Sequence, residues 1–171
     1  RSIVRLGLEE MALGQRAGLR ALKNVARLKG QTITAKQIAF NIAPHLNAAC
    51  RIDDPAIALD LLLSDDKHSA DVLAQKLNSL NIQRQQKGKK ALEQAKEAID
   101  RDVDLDKELA IVLADHRWRP GIVGIIAGRL AESFHRPALV IALNEEGEGT
   151  GVLEFSALKR KLNRIDLSYQ D

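Results

Sequence analysis

The sequence predicts an α/β protein that begins with helices, continues through one long helix and ends in a strand-helix-strand unit. Three observations predict this class. Apolar residues recur at helical spacing through residues 1–64, residues 69–100 contain no proline, and two apolar runs flank a helical pattern near the end. Hydrophobic residues make up 45% of the chain and aromatic ones only 3%, so the core is aliphatic, which suits helices packed on helices or on a parallel sheet.

Residues 1–64 have the pattern of short helices joined by short loops. Thr34 is placed to cap one of them, which we expect to stop near Pro44 because the residue before a proline disfavours helical geometry. Asp54 precedes Pro55, a pair that commonly begins a helix.

Between those helices we expect Leu46–Asp54 to form a link of small and polar residues in which Asn47 and Arg51 can point at a ligand. The planar guanidinium of Arg51 carries five donors and suits bidentate contact with a phosphate. The alternative is that Arg51 pairs with a neighbouring aspartate or caps a helix end, and the residues alone favour that alternative.

Residues 69–100 predict one long helix, with regularly spaced apolar residues among many Lys, Gln and Glu. Its middle, residues 83–90, has almost no apolar face, which is typical of a helix that bridges two bodies through solvent. The alternative is two helices with a loop at Gly88, since glycine costs about 1 kcal/mol relative to alanine inside a helix.

The last third of the chain predicts a βαβ unit. Leu109–Ala114 is a continuous apolar run that suits a strand buried on both faces, and Ala138–Leu143 is a second such run. The turn at Trp118–Gly121 leads into a helix over residues 122–134, so the two strands should be parallel. A turn into a helix presents free backbone N–H groups, which can hold phosphate.

The residues after the second strand predict less regular structure. Asn144–Gly151 is rich in Gly and Glu and predicts a loop, and residues 155–162 predict a charged helix followed by a polar end.

Composition excludes several classes of protein. The net charge of +3 is compatible with a polyanionic partner. The single cysteine, Cys50, excludes an internal disulfide and a cysteine metal cluster, so we expect a reducing, cytoplasmic compartment. No apolar run approaches the roughly 20 residues that cross a membrane, so no membrane partner is expected. A helical pattern begins immediately at Arg1. We therefore expect the chain to be an internal part of a larger protein.

The histidines do not form a metal-binding pattern. The four of them, His45, His68, His116 and His135, are scattered, with no two at ligand spacing on one helix face. For each we expect a surface or helix-end position, and we assign no metal ligand and no catalytic residue to this chain.

Two motifs resemble RecJ-type single-strand-specific exonucleases of the DHH phosphoesterase superfamily. Leu46–Arg51 is similar to that family's Leu-Asn-Ala-Ala-Gly-Arg segment, with Cys50 in place of glycine. Trp118–Leu130 is similar to the Trp-His-x-Gly-(Val/Ile)-(Val/Ile)-Gly-Ile-(Val/Leu)-Ala-Ser-Arg-Leu pattern, with Arg119 where the family often has histidine. Phe134–Pro137 resembles the segment after it. The resemblance covers roughly residues 2–151 in family order.

The resemblance implies a domain division. Residues 1–64 would be the C-terminal helical part of a DHH domain and residues 65–106 a connector helix. Residues 107–151 would open a DHH-associated, substrate-binding domain, and residues 152–171 would form an unassigned tail.

The resemblance also implies an activity. The parent would be a monomeric 5′–3′ exonuclease of DNA repair and recombination that hydrolyses single-stranded DNA with two divalent ions, Mn²⁺ or Mg²⁺. In that family the metal ligands lie upstream of the point equivalent to Arg1. We therefore expect this portion to supply strand and 5′-phosphate binding and to be inactive alone.

Substrate contacts follow from the same resemblance. Arg51 matches the family arginine that contacts the 5′-phosphate, and Asn47 matches the asparagine that positions the segment beside it. The other implied contacts are Gly149, Thr150 and Gly151, which resemble the start of the family's Gly-Ser-Gly-Arg-Ser phosphate loop. The alternative for these three is a plain surface turn.

The sequence departs from the family pattern after that loop. Val152 and Leu153 stand where arginine and serine should follow. We favour a tail joined from elsewhere in the parent chain over a divergent end, because a βαβ unit that ends in its own phosphate loop leaves open sheet edges.

Two other functions stay open at the level of sequence. One is a DHH-family phosphodiesterase that acts on short oligonucleotides or cyclic dinucleotides, against which the long connector argues. The other is a non-catalytic scaffold of the same family that has lost its metal site. Residues upstream of Arg1 would separate them, since an intact Asp-His-His motif indicates an enzyme.

Overall fold

The chain is mixed α/β in the computed structural model, which describes residues 2–155. Its elements are, in order, α1 (Ser2–Leu13), α2 (Ala17–Val25), α3 (Ala35–Gln37), a π-helical turn (Ile38–Ile42), α4 (Ala43–Ile52), α5 (Ala56–Leu63), α6 (Lys67–Asp102), β1 (Ile111–Asp115), α7 (Pro120–Phe134), β2 (Ala138–Leu143) and β3 (Gly149–Glu154). The chain divides into two compact units, Arg1–Gln85 and Gln86–Asp171. None of the helices described combines the length and the apolar character of a membrane span.

The first unit is helical, and its core is formed by aliphatic side chains. Leu22, Leu61 and Leu77 are among its fully buried members. Helices α2 and α5 approach so closely that a Cβ on Gly18 would lie 1.8 Å from the carbonyl oxygen of Leu61. Glycine at position 18 is therefore required by the contact between two backbones.

The helix that begins at Thr34 does not stop near Pro44, so that expectation is wrong. Thr34 caps it as predicted, and the Gln37 N–H donates to Thr34 Oγ1 at 3.2 Å. The chain then widens into the π-helical turn, in which the Ala43 N–H bonds to the Ile38 carbonyl, and Pro44 falls in the first turn of α4. A proline in a first turn removes no helical hydrogen bond, so the helical backbone can continue through Pro44.

Helix α6 is continuous over 36 residues and passes through Gly88 without interruption, so the two-helix alternative is wrong. Its buried side chains up to Leu80 belong to the core of the first unit, and those from Ala91 onward belong to the core of the second. No residue between Ile82 and Lys90 is buried. The polar middle predicted from sequence is therefore present, while the proposed domain boundaries stay a prediction.

The second unit is a three-stranded sheet in the order β1-β2-β3 with α7 packed against it. β1 and β2 are parallel, which confirms the predicted βαβ unit, and β3 runs antiparallel to β2. The fully buried side chains of α7 include Val123, Ile126 and Leu130.

The first strand differs from the prediction in its start and in its burial. It begins at Ile111, and Leu109 lies before it with 88% of its surface exposed. Ile111 and Leu113 are buried, whereas Val112 is 59% exposed. Among the described residues α7 covers one face of the sheet, so alternate side chains of β1 face away from the core, and the expectation of burial on both faces is wrong.

The loop expected over residues 144–151 is shorter, and its second half is β3. The Asn144 carboxamide oxygen accepts hydrogen bonds from the N–H groups of Glu146 and Glu148, which closes a tight turn. β3 pairs with β2 as far as Glu154, so Val152 and Leu153 belong to the sheet rather than to a separate tail. The helix expected over residues 155–162 lies, apart from its first residue, outside the described residues.

Candidate nucleic-acid interface

Asn47 and Arg51 lie one turn apart on α4. Most of the segment that we expected to link two helices is instead the last part of α4, which ends at Ile52 and leaves only Asp53 and Asp54 outside it, which is a correction. Residues four apart share one face of a helix, and both side chains are exposed. Ala48 and Ala49 have no exposed surface, so the small residues of the motif pack into the core and the polar ones project outward.

Cys50 replaces the family glycine without disturbing this geometry. Its backbone is part of α4 and does not have the left-handed φ that favours glycine. The thiol is exposed, and its Sγ atom lies 4.0 Å from the Leu46 carbonyl oxygen. A glycine is therefore not needed at position 50 for the backbone to present Arg51.

The last turn of α4 places Arg51 beside the carbonyl end of the helix dipole, where a cation is favoured. The nearby aspartates have partners of their own. Asp53 lies 4.0 Å from Lys76 and accepts a hydrogen bond from the Asp54 N–H at 2.9 Å. Asp54 accepts one from the Ala56 N–H at 2.8 Å, although the N-cap of α5 is Pro55 and not Asp54 as expected. Arg51 thus contributes to a helix end whether or not a ligand is present.

Gly149, Thr150 and Gly151 lie in β3 and not in a loop, with Thr150 opposite Ala142. Neither glycine has a positive φ. A Cβ on Gly149 would lie 2.6 Å from Ile141 Cγ2, and one on Gly151 would lie 3.0 Å from Ile141 Cγ1. The Ile141 side chain on the neighbouring strand therefore crowds the space beside both glycines, and a phosphate contact at these positions stays a prediction.

A cavity of about 490 Å³ lies beside Gly149 and Thr150. Its other lining residues are Pro120, Ala142, Leu143, Asn144 and Glu148. The one charged side chain among these is that of Glu148, which would repel a phosphate. Glu148 therefore disfavours anion binding beside Gly149 and Thr150.

A second cavity, of about 290 Å³, has a strongly basic lining and lies between α6 and the start of α7. It is lined by Lys87, Lys90, Ala91, Gln94, Arg117, Trp118, Arg119 and Ile122. Among the described residues, no acidic side chain lines it. We call this cavity the basic cleft.

The turn at Trp118 does not offer the open backbone N–H groups that the sequence suggested. The N–H groups of Ile122 and Val123 both donate to the Arg119 carbonyl, at 2.9 and 3.3 Å. Trp118 is 4% exposed, and its indole N–H donates to Gln94 Oε1 at 3.3 Å. Anion binding in the basic cleft would therefore depend on side chains.

One cation of the basic cleft is already paired. The Arg117 guanidinium lies 2.6 Å from the carboxylate of Asp115, whose side chain is 19% exposed. The hydrogen bond from Arg117 lowers the pKa of Asp115, and the same contact raises the pKa of Arg117. The pair is close to neutral in sum, which leaves Lys87, Lys90 and Arg119 as the net cations of the cleft.

No motif in the sequence assigns these cations to a site. The two lysines were visible as part of the polar middle of a helix, and Arg119 as a departure from a family histidine. Their convergence depends on the packing of the Trp118 turn against α6, which no local pattern reveals.

His45 is buried, at 7% exposure, and lies in the first turn of α4, so of the two expected positions it has the helix end and not the surface. Its Nδ1 lies 2.8 Å from the Asn41 carbonyl oxygen and its Nε2 lies 3.3 Å from Asn78 Oδ1, so both ring nitrogens have partners. His135 lies at the end of α7 with a left-handed φ of 53°, a helix-end position as predicted. Within residues 2–155, no three His, Cys, Asp or Glu side chains are grouped so that they could hold a metal ion.

Comparison with known proteins gives related sequences and structures, although no protein-family model matches the chain. It is 38% identical over 149 residues to the single-stranded-DNA-specific exonuclease RecJ of Bacillus subtilis (strain 168), which covers 85% of this chain and 18% of that relative. It resembles the crystal structure of RecJ from Thermus thermophilus in complex with Mn²⁺, with a TM-score of 0.72 and 36% identity, over 83% of this chain and 21% of that one. The Mg²⁺ complex of the same protein matches with a TM-score of 0.69 and 35% identity, over 80% and 21% of the two chains.

Proposed function

The chain belongs to the RecJ family, and we propose that it is the substrate-binding portion of a 5′–3′ exonuclease that acts on single-stranded DNA. It spans about a fifth of the length of the relatives described above. We therefore propose a longer parent protein, called here the full-length protein, in which other segments carry the hydrolytic centre.

The observation that carries the proposal is the exposed pair of Asn47 and Arg51 on one face of α4. A guanidinium can hold a phosphate through two parallel hydrogen bonds. A terminal phosphate monoester carries a charge of about −1.5 to −2, whereas a phosphodiester carries about −1, so one arginine attracts the strand end more strongly. We propose that Arg51 contacts the 5′-phosphate and that the Asn47 carboxamide supports that contact from one turn away.

We propose a smaller contribution from β3. The side chain of Thr150 alternates with the two glycines along the strand, and its hydroxyl can donate one hydrogen bond to a phosphate oxygen. The neighbouring Glu148 opposes an anion there, which is why Gly149, Thr150 and Gly151 are expected to contribute less than Arg51.

The metal ions of the family do not fit the described part of this chain. The RecJ structures from T. thermophilus contain Mn²⁺ or Mg²⁺. Residues 2–155 offer no group of three metal-ligating side chains. We therefore propose that the metal ligands belong to other segments of the full-length protein and that the present chain does not hydrolyse DNA alone.

Replacing Arg51 tests the proposed role of α4. In the full-length protein, Arg51→Ala should lower kcat/KM on 5′-phosphorylated single strands by about 10- to 100-fold, the equivalent of one charge-assisted hydrogen bond of about 1.5–3 kcal/mol. Activity on 5′-hydroxyl strands should change much less, because those strands lack the terminal phosphate.

The matched control is Arg5→Ala. Arg5 lies on α1 in the same unit, has a 75% exposed side chain and pairs with Glu9, so its loss removes the same charge away from α4. If the Arg51 variant keeps the preference of the unaltered protein for one strand end over the other, Arg51 does not contact the 5′-phosphate.

A further inference from the structure

We propose that the basic cleft binds the phosphodiester backbone of single-stranded nucleic acid, away from the strand end. Four of its eight lining residues are cationic. The proposal rests on the function proposed above and adds a second contact to it, made by Lys87, Lys90 and Arg119.

Regular secondary structure holds the cations of the cleft in place. Lys87, Lys90 and Gln94 follow the i, i+3, i+7 spacing of one face of α6. The hydrogen bond from Trp118 to Gln94 fixes the turn that carries Arg119 against that face. A site that is built on helices is positioned more precisely than one built on loops.

The net charge presented by the cleft is positive. Arg117 is paired with Asp115, and Glu97 lies close enough to Arg117 to contribute to the rise in its pKa. Lys87, Lys90 and Arg119 form no ion pair among residues 2–155. When these side chains neutralise phosphates, the cations condensed on the nucleic acid are released, and that release strengthens binding.

The exposed lining indicates a backbone contact rather than a base contact. The apolar members are almost completely buried, with Ala91 at 7%, Trp118 at 4% and Ile122 at 2% exposure. No aromatic face is therefore available on which a base could stack, and the surface offered to a ligand consists of cations and one carboxamide. A protein partner usually needs an apolar anchor that this lining does not provide.

The test is the salt dependence of DNA binding by the full-length protein. The probe is a 5′-hydroxyl oligothymidylate in EDTA, which prevents hydrolysis and leaves the 5′-phosphate contact out of the measurement. The variant Lys87→Gln/Lys90→Gln/Arg119→Gln should reduce the slope of log K against log salt by about 2, since each phosphate contact on a single strand contributes about 0.7. At the lowest salt the affinity should fall at least about tenfold.

The matched control is Lys89→Gln/Lys96→Gln/Arg129→Gln, which removes the same charge from exposed positions of the same unit outside the cleft. It should keep most of the slope of the unaltered protein. Circular dichroism and thermal unfolding of both variants establish that they are folded.

The possible outcomes separate this inference from the proposed function. An unchanged slope in the cleft variant, or equal losses in the cleft and control variants, would overturn the inference and leave an acidic protein segment as the other occupant to consider. Failure of the unaltered protein to bind single strands would overturn both proposals. A loss confined to the cleft variant supports the inference whatever the result for Arg51.

Discussion

Gly18 is a glycine because backbone of a neighbouring segment occupies the space that a Cβ would need, whereas at Gly149 and Gly151 the Ile141 side chain crowds that space. Asn47 and Arg51 are exposed on a helix whose alanines hold it to the core. At the scale of single residues, a glycine in a suggestive motif can therefore reflect strand packing, while the exposed Arg51 projects from a well-anchored helix and also interacts within the chain.

Gly18→Ala should destabilise the first unit. The added Cβ would lie 1.8 Å from the Leu61 carbonyl oxygen, and a backbone atom cannot move aside as a side chain can. We expect the free energy of unfolding to fall by about 3 kcal/mol or more, measured by denaturant titration. Gly128→Ala on α7, where a Cβ would meet nothing within 4 Å, is the control and should be neutral or stabilising. A Gly18 variant as stable as that control would contradict the described contact between α2 and α5.

The Asp115–Arg117 pair predicts a dependence of stability on pH. The pKa of Asp115 is lowered from its ordinary value of 3.8, chiefly by the hydrogen bond from Arg117. A lowered pKa in the folded state contributes stability above the ordinary value, and this contribution is lost as the pH falls below it. Asp115→Asn should therefore be less stable than the unaltered chain at neutral pH, and the difference should shrink as the pH falls below 3.8. A difference that is independent of pH would show that the pair does not stabilise the fold.

At the scale of elements, the structures that the sequence predicted well are those with local causes. The cap at Thr34, the long α6 and the Pro-Gly start of α7 each follow from residues within one or two turns. The π-helical turn, the one-sided burial of β1 and the whole of β3 depend on partners distant in sequence. The sequence pattern around each of these features therefore could not predict it.

The candidate site shows the same contrast between features with local causes and features that depend on distant partners. The resemblance to a family identified Asn47 and Arg51. These two residues share one face of a helix only because the helix continues through Pro44. The basic cleft joins two segments that are more than 20 residues apart in sequence, which composition alone cannot bring together.

Gly88→Ala should stabilise α6. A Cβ at position 88 would meet only Ile122 Cγ2, at 3.9 Å, an ordinary contact distance. Alanine favours the helix over glycine by up to about 1 kcal/mol, and thermal unfolding should reveal a gain of that order. A loss of stability would indicate that the chain needs glycine at position 88 and that α6 is interrupted there.

At the scale of the whole molecule, two units each have their own aliphatic core, and α6 contributes side chains to both. The continuous 36-residue α6 argues against the alternative of a phosphodiesterase for short oligonucleotides or cyclic dinucleotides, which would lack a long connector. The alternative of a non-catalytic scaffold depends on whether the full-length protein carries a metal site.

The most direct test of the central claim, that this chain binds substrate for a hydrolytic centre located elsewhere, is nucleotide release from single-stranded DNA in the presence of Mn²⁺. The full-length protein and the 171-residue chain should be assayed side by side, with circular dichroism to establish that both are folded. We expect release by the full-length protein, its loss on chelation of the metal, and none by the chain alone. Metal-dependent release by the chain alone, or no release by the full-length protein, would contradict the account.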